Sequence, residues 1–259
     1  MQNYDYHKAM SMRACLVIWT AVLSVAAQPV WGQSEGGLLI EADAEKTITK
    51  KLSVGIGGDL RTRNNFKTMD RWSLGVSADY KLTSWLKADA GYKLLNTNFR
   101  EDIDLKTSVA YNHWRPSYWG VKHRFYASLT GSYKFKNNIK ISLREHWQYT
   151  YRPEKTVERW DFDDEEWEDK VRDAKGKHQL RSRLQISYDR RRALLTPYVS
   201  AELYNSSGIE KIRYTLGTDI RLSKQHSLNV FYRFQDMRNS AEDDDPDMHY
   251  LGIGYKFKF

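Results

Sequence analysis

The chain has 259 residues, of which 29% are charged, with a formal net charge of +8 and a mean hydropathy of −0.72. That length suits one large domain, no stretch beyond the N-terminal segment reaches the roughly 18 apolar residues of a spanning helix, and one cysteine allows no disulfide; helical membrane proteins and disulfide scaffolds are excluded. The basic residues alternate with apolar ones along the chain instead of gathering in an arm or a helix, which argues against nucleic acid as a partner.

Residues 1–13 carry Lys8 and Arg13, and residues 14–27 form an apolar run of secretory-signal length. Val25 and Ala27 suit cleavage before Gln28, with Gln33 as the second choice. Cys15 opens this run instead of closing it, so a lipoprotein signal does not fit, and no thiol is expected after cleavage. The expected division is a cleaved signal over 1–27 and a β-barrel over 28–259.

From residue 37 the chain alternates with period two in segments of about ten residues, the length of a tilted barrel strand. Residues 37–46 set Leu38, Ile40, Ala42 and Ala44 against Glu41, Asp43 and Glu45. Residues 51–62 set Leu52, Val54, Ile56 and Leu60 against Asp59 and Arg61, and residues 71–82 set Trp72 through Leu82 against Arg71, Ser73, Asp79 and Lys81. Residues 85–95 place Leu86, Ala88, Ala90 and Tyr92 opposite Lys87, Asp89 and Lys93. A long polar and aromatic connection is expected over 96–121. Strands follow at 122–135 and 139–151, joined by an Asn137-Asn138 turn, with Arg124 and Arg144 on their polar faces. Glu145 lies on the apolar parity, which predicts either a position near the headgroups or a bulge. After the acidic stretch 152–177, strands are expected at 178–189, 194–204, 210–222 and 227–236. The last segment, YLGIGYKFKF at 250–259, turns Leu251, Ile253, Tyr255, Phe257 and Phe259 one way and Gly252, Gly254, Lys256 and Lys258 the other. In a soluble sheet such a strand is a sticky edge; in a membrane barrel it closes the wall and faces lipid.

Connections near 49, 83, 137, 191 and 225 are short, those near 66, 108, 165 and 243 are longer, and the one near 206 is intermediate. Outer-membrane barrels alternate short periplasmic turns with longer outer loops. The fold class read from this pattern is all-β: an antiparallel up-and-down transmembrane β-barrel. Eleven strands are clear. An even number is the rule, so twelve are expected, with one hidden near 28–36 or 103–111, and ten are the alternative.

The inward faces carry Asp59, Arg61, Asp79, Lys81, Asp89, Lys93, Arg124, Arg144, Arg181, Arg183, Glu202, Arg213, Asp219, Arg221 and Arg233. In a narrow lumen opposed charges are expected to pair into a stiffening network, or to line a path for small polar solutes. His146 and Ser142 share an inward face, the least that a membrane-embedded lipid-modifying hydrolase requires; a lone strand histidine is more often a hydrogen-bonded lumen residue. No catalytic residue, metal ligand or cofactor is assigned. The acidic stretches at 161–173 and 242–247 read as solvated charge runs, and as outer loops they would reach lipopolysaccharide through divalent cations.

Four strings carry a resemblance: KHRFYASLTGSYKF (122–135), LTPYVSAELY (195–204), IEKIRYTLGTDIRLSKQHSLNVFYRFQ (209–235) and HYLGIGYKFKF (249–259). Together they resemble the outer-membrane barrel family known as domain of unknown function 2490, most densely after residue 178. The resemblance implies the outer membrane of a Gram-negative bacterium, with its lipid and lipopolysaccharide as surroundings, and no established activity. The aromatic ending Tyr255, Phe257 and Phe259 is similar to the signal read by the barrel-assembly machinery. The function expected is structural, or passage of a small polar solute, with a lipid-modifying hydrolase or loop-mediated surface binding as alternatives.

Overall fold

The computed structural model describes residues 34–106, 110–191, 193–238 and 246–259. The expected signal segment and most of the 242–247 acidic run lie outside the described residues. Among the described residues every regular element is a strand. Eleven of them form the wall: β1 (Ser34–Thr47), β2 (Leu52–Arg63), β3 (Thr68–Lys81), β4 (Leu86–Phe99), β7 (Tyr118–Lys134), β8 (Ile139–Arg152), β11 (Lys175–Tyr188), β12 (Leu195–Asn205), β13 (Ile209–Arg221), β14 (His226–Met237) and β15 (Asp247–Lys258). They pair in chain order into a closed barrel, β15 meeting β1. Four short strands, β5 (Asp102–Leu105), β6 (Tyr111–Arg115), β9 (Lys155–Asp161) and β10 (Glu166–Arg172), make a separate sheet in the order β10-β9-β6-β5.

The seam corrects the expected strand count. Phe259 N–H donates to Glu45 O (3.0 Å), and Thr47 N–H donates to Phe259 O (3.3 Å). One residue bonding to both neighbours of a single facing residue is the parallel ladder pattern, so β1 and β15 run the same way. An even count follows only if every pair, the seam included, is antiparallel. A parallel seam lifts that condition, and eleven strands close where twelve or ten were expected. β5 falls at one of the places expected to hide a strand, but it pairs with β6 in the small sheet and not with the wall.

The connections also differ from expectation. Those at 48–51, 82–85, 135–138, 189–194 and 222–225 are short and share one rim. On the other rim only three are long, because 64–67 and 206–208 are tight turns. In the 64–67 turn Asn64, Asn65 and Phe66 have φ between 52° and 71°, and residue 36 O accepts from Phe66 N–H (3.2 Å). The stretches expected as loops at 96–121 and 152–177 instead extend the wall strands and form the small sheet. Cross-strand pairs such as Arg159 opposite Glu168 let this charged sequence hold a ladder.

The alternating faces separate as read. Leu74, Val76, Leu129 and Leu143 are each more than half exposed on the outside (52%, 54%, 52% and 51%). Aromatic groups gather toward both ends of the strands: Tyr92, Phe125 and Tyr149 with His178 toward the long-connection rim, and Tyr133, Phe135, Tyr255 and Phe257 toward the short-turn rim. From Phe125 to Tyr133 the eight-residue step, at about 3.3 Å each and tilted about 40°, rises about 20 Å, close to the height of an outer-membrane apolar band. Glu145 sits mid-strand with continuous register on both sides, so neither a bulge nor a strand-end position applies. Its carboxylate accepts a hydrogen bond from Ser182 Oγ (2.6 Å) on the same outer face.

Inside, an apolar cluster of Leu39, Phe231, Met248 and Tyr250 lies beside the seam. The Phe231 ring occupies the space over Gly252, where a Cβ would meet ring carbons at 2.1–2.5 Å. Glycine is required there by close approach.

Candidate functional site

Apart from the buried Leu95 the remaining lumen is mainly polar, and its charged residues assemble into three adjoining groups. In the first, Asp59 is 7% exposed and accepts from Arg71 Nη2 (2.7 Å), Lys93 Nζ (3.0 Å) and the Ser73 hydroxyl. In the second, Asp89 accepts from Ser128 Oγ (3.0 Å) and Arg144 Nη2 (3.0 Å), and Ser128 Oγ lies 2.7 Å from His146 Nδ1. In the third, Glu202 accepts from Arg181 through Nε (3.2 Å) and Nη2 (2.7 Å) and from the Tyr204 hydroxyl (2.9 Å). Arg213 donates to Tyr204 and to Gln235 Oε1 (2.8 Å). The Tyr204 ring is flanked by Arg181 (4.6 Å), Arg213 (4.5 Å) and Lys211 (4.9 Å). A cationic layer around one ring is favourable because its π face carries negative potential.

The remaining predicted lumen residues are dispersed. Arg183 pairs in register with Glu202 and Arg144, beside the third group. Arg61 lies over the Tyr250 ring (5.1 Å), and Arg233 lies over Phe231 (4.6 Å) and donates to Thr215. Asp79 pairs with Lys87 (2.5 Å), Asp219 accepts from Asn229 (2.8 Å), and Arg221 lines the short-turn mouth. Lys81 is exposed at the rim and joins none of the three groups. Ser73, Ser128, Gln148 and Gln235 sit on the inward faces that their parity gives them and are buried as hydrogen-bond partners of the charges, whereas Tyr204, also buried, is not singled out in the sequence. The signal was present: Tyr204 shares the parity of Glu202, yet its aromatic ring reads as a lipid-facing residue.

The geometry around His146 does not match a hydrolase. Its partner is Ser128 on β7, not Ser142, and the carboxylate of Asp89 contacts the serine instead of the imidazole. A triad places the imidazole between acid and nucleophile. Here the serine is in the middle, and Arg144 donates to it as well.

A cavity opens at each mouth of the barrel. The one toward the long connections encloses about 260 Å³. Among the described residues Arg63, Arg100, Lys122, Arg124, Arg152, Lys175, Lys177 and Lys211 line it, with the carboxylates Asp70 and Glu210. Lys177 pairs with Glu210 (2.6 Å), Arg63 with Asp70 (3.6 Å), and Arg100 with Glu35 (2.8 Å). The floor is Gln148, which donates to Gln179 Oε1 (2.7 Å) and accepts from Arg181 (3.4 Å), so it joins the vestibule to the third charge group. The cavity at the short-turn mouth is lined by Lys140, Arg221, Lys224, Lys256 and Lys258 against Asp189 and Asp219.

A family model described as protein of unknown function (DUF2490) matches residues 36–245. The chain belongs to this family. The match takes in all three charge groups of the DUF2490 barrel and stops before β15, which carries Tyr255 and Phe257. No curated protein matches the sequence. Among solved structures it is similar to the β domain of the Bordetella autotransporter BrkA, with 15% identity and a TM-score of 0.49, over 81% of this chain and 82% of that one.

The small sheet of this DUF2490 chain has two unlike faces. Ile103, Trp114, Trp160 and Trp167 form one cross-strand row over all four strands. On the opposite face His113 Nε2 lies 3.1 Å from Asp161 and 3.4 Å from Glu168. These three groups offer donor atoms within 4.8 Å of one another, a spacing that suits a metal ion. Arg159 Nε already takes the same Glu168 oxygen at 2.5 Å, so that carboxylate is paired within the sheet. The Asp161 carboxyl is held below the usual carboxylate range, chiefly by the backbone N–H groups of Asp163 and Asp164.

Proposed function

We propose that the protein is an outer-membrane barrel of a Gram-negative cell whose lumen passes small polar solutes under the control of its charge network. One observation carries the reading: two water-accessible basic cavities, one at each mouth, meet a hydrogen-bonded polar midsection instead of an apolar plug. A purely structural barrel gains as much from an apolar filling, since a buried ion pair seldom outweighs a hydrophobic replacement. A polar midsection can exchange its partners for water or a solute.

The membrane assignment is supported by the closed wall, which pairs the backbone around the whole circumference, and by an aliphatic exterior bounded by aromatic groups. In this reading the long-connection rim with its small sheet faces outward, toward lipopolysaccharide. Tyr255 and Phe257 turn outward on β15, and with the terminal Phe259 they serve as the segment engaged by the assembly machinery.

The test is single-channel conductance of folded, heat-modifiable protein in a planar bilayer. Discrete steps with a reversal potential shifted toward the anion are expected. Absence of steps from protein shown to be folded and inserted overturns the pathway.

A further inference from the structure

We infer that the charged face of the small sheet binds one transition-metal dication of the zinc class, held by His113, Asp161 and Glu168. The inference goes beyond the solute pathway and does not depend on it. The first ground is convergence. The three residues come from three different strands, β6, β9 and β10. His113 Nε2 stands 3.1 Å from Asp161 Oδ2 and 3.4 Å from Glu168 Oε1. Two ligand atoms held by one tetrahedral Zn²⁺ at about 2.0–2.1 Å lie about 3.3 Å apart. The side chains are therefore already spaced as two edges of such a site.

The second ground is that the carboxylates are oriented. Asp161 Oδ1 accepts the backbone N–H groups of Asp163 (2.7 Å) and Asp164 (3.3 Å), which leaves Oδ2 toward His113 and keeps the group ionised. Arg159 takes one position on Glu168 Oε1, and a carboxylate oxygen accepts more than once, so the guanidinium orients this ligand from outside the set. The imidazole must bind through an unprotonated Nε2, with its proton on Nδ1, a buried atom with no partner among the described residues. Asp104 stands opposite His113 in register on β5, the position from which an outer carboxylate would take that proton's hydrogen bond.

The third ground is the local field. The turn between the two acidic ligands carries Asp163, Asp164, Glu165 and Glu166, of which Asp163 pairs with Lys106. The connection at 107–109 reads Thr-Ser-Val and adds no charge. Such a turn concentrates cations and offsets Arg159. An imidazole ligand selects a borderline ion such as Zn²⁺ over Mg²⁺ or Ca²⁺, which take oxygen. The consequence is mechanical. β6 and β9 meet at two register positions, His113 with Asp161 and Trp114 with Trp160. An ion bonded across the first of them, and to β10, ties three strands of the sheet together.

The experiment is titration of Zn²⁺ into chelator-washed, folded protein in a neutral detergent, followed by calorimetry and by tryptophan emission. One saturable site is expected, retained in excess Mg²⁺ or Ca²⁺, with a change in emission because Trp114 and Trp160 adjoin the ligand pair. His113→Gln and Asp161→Asn, each checked for a folded barrel by heat-modifiability, should weaken binding about tenfold or more, the least that a lost outer-shell partner costs. Asp161→Asn keeps an oxygen for the two backbone N–H groups, so the turn survives. Glu158→Gln, the same charge change on the opposite face of β9, should leave affinity unchanged. No saturable binding, binding without an emission change, displacement by Ca²⁺, or binding that both ligand variants leave intact overturns the site. Conductance has no part in the readout, so a barrel that binds Zn²⁺ but never conducts keeps the site and loses the pathway.

Discussion

Glu202→Gln tests whether the midsection network holds the barrel together. The substitution keeps shape and removes one charge. The carboxylate is 8% exposed and takes two bonds from Arg181 and one from Tyr204. With charge centres about 4 Å apart and an effective dielectric near 20, the Arg181–Glu202 attraction is about 4 kcal/mol. Its loss also leaves Arg181, Arg183 and Arg213 facing one another without a neutralising group. The expected cost is about 3–5 kcal/mol, as for a buried pair broken from one side, against about 0.2–1 kcal/mol for a solvated pair. The assay is reversible urea unfolding in lipid vesicles followed by tryptophan fluorescence, with Arg181→Gln and the double variant completing a cycle. The double variant should cost clearly less than the two single changes together, because it leaves no orphaned charge on that pair. The single variant should also raise conductance. A single-variant cost below about 1 kcal/mol, with no coupling in the cycle, would mean that lumen water screens the pair and that the network is not a structural element.

Three further outcomes follow from particular contacts. Cysteines placed at Lys46 and Phe259 should cross-link, because the parallel seam brackets Phe259 between the bonds to Glu45 and Thr47; failure to form that disulfide in folded protein would refute the parallel closure. Gly252→Val forces a Cβ into the Phe231 ring and should lower stability by about 1–3 kcal/mol, with rescue by Phe231→Ala; a folded fraction equal to wild type on heat-modifiability gels would contradict the packing. Because the Asp161 carboxyl is depressed, its contribution to the small sheet is present above its unfolded pKa and lost as pH falls through the lower folded value; Trp160 and Trp167 fluorescence should report loosening only in strong acid, and a change centred near neutrality would be inconsistent with it.

Much of this protein is legible from two-residue periodicity. A strand buried on neither side but greasy on one has few homes, so eleven runs of that kind determined the barrel, its inward charges and its outward belt. Parity alone placed Asp59, Asp89, Arg181 and Glu202 in the lumen, because side chains on a strand must alternate. What parity cannot express is how strands meet across the closure. The backbone of β15 can bond β1 in either direction, and only the geometry of the ring selected the parallel seam and hence eleven strands. Pairing within the lumen was hidden for the same reason: Asp59 with Lys93, or Asp89 with Arg144, joins residues 34 and 55 positions apart, and barrel curvature decides who reaches whom. The small sheet was hidden by composition, since its charges meet only once its strands pair, Arg159 with Glu168 within a hairpin and His113 with Asp161 across 48 positions. The basic vestibule belongs to the tertiary structure alone. Its eight cations come from the ends of five strands and one connection, and they line one cavity only when the wall brings those ends together.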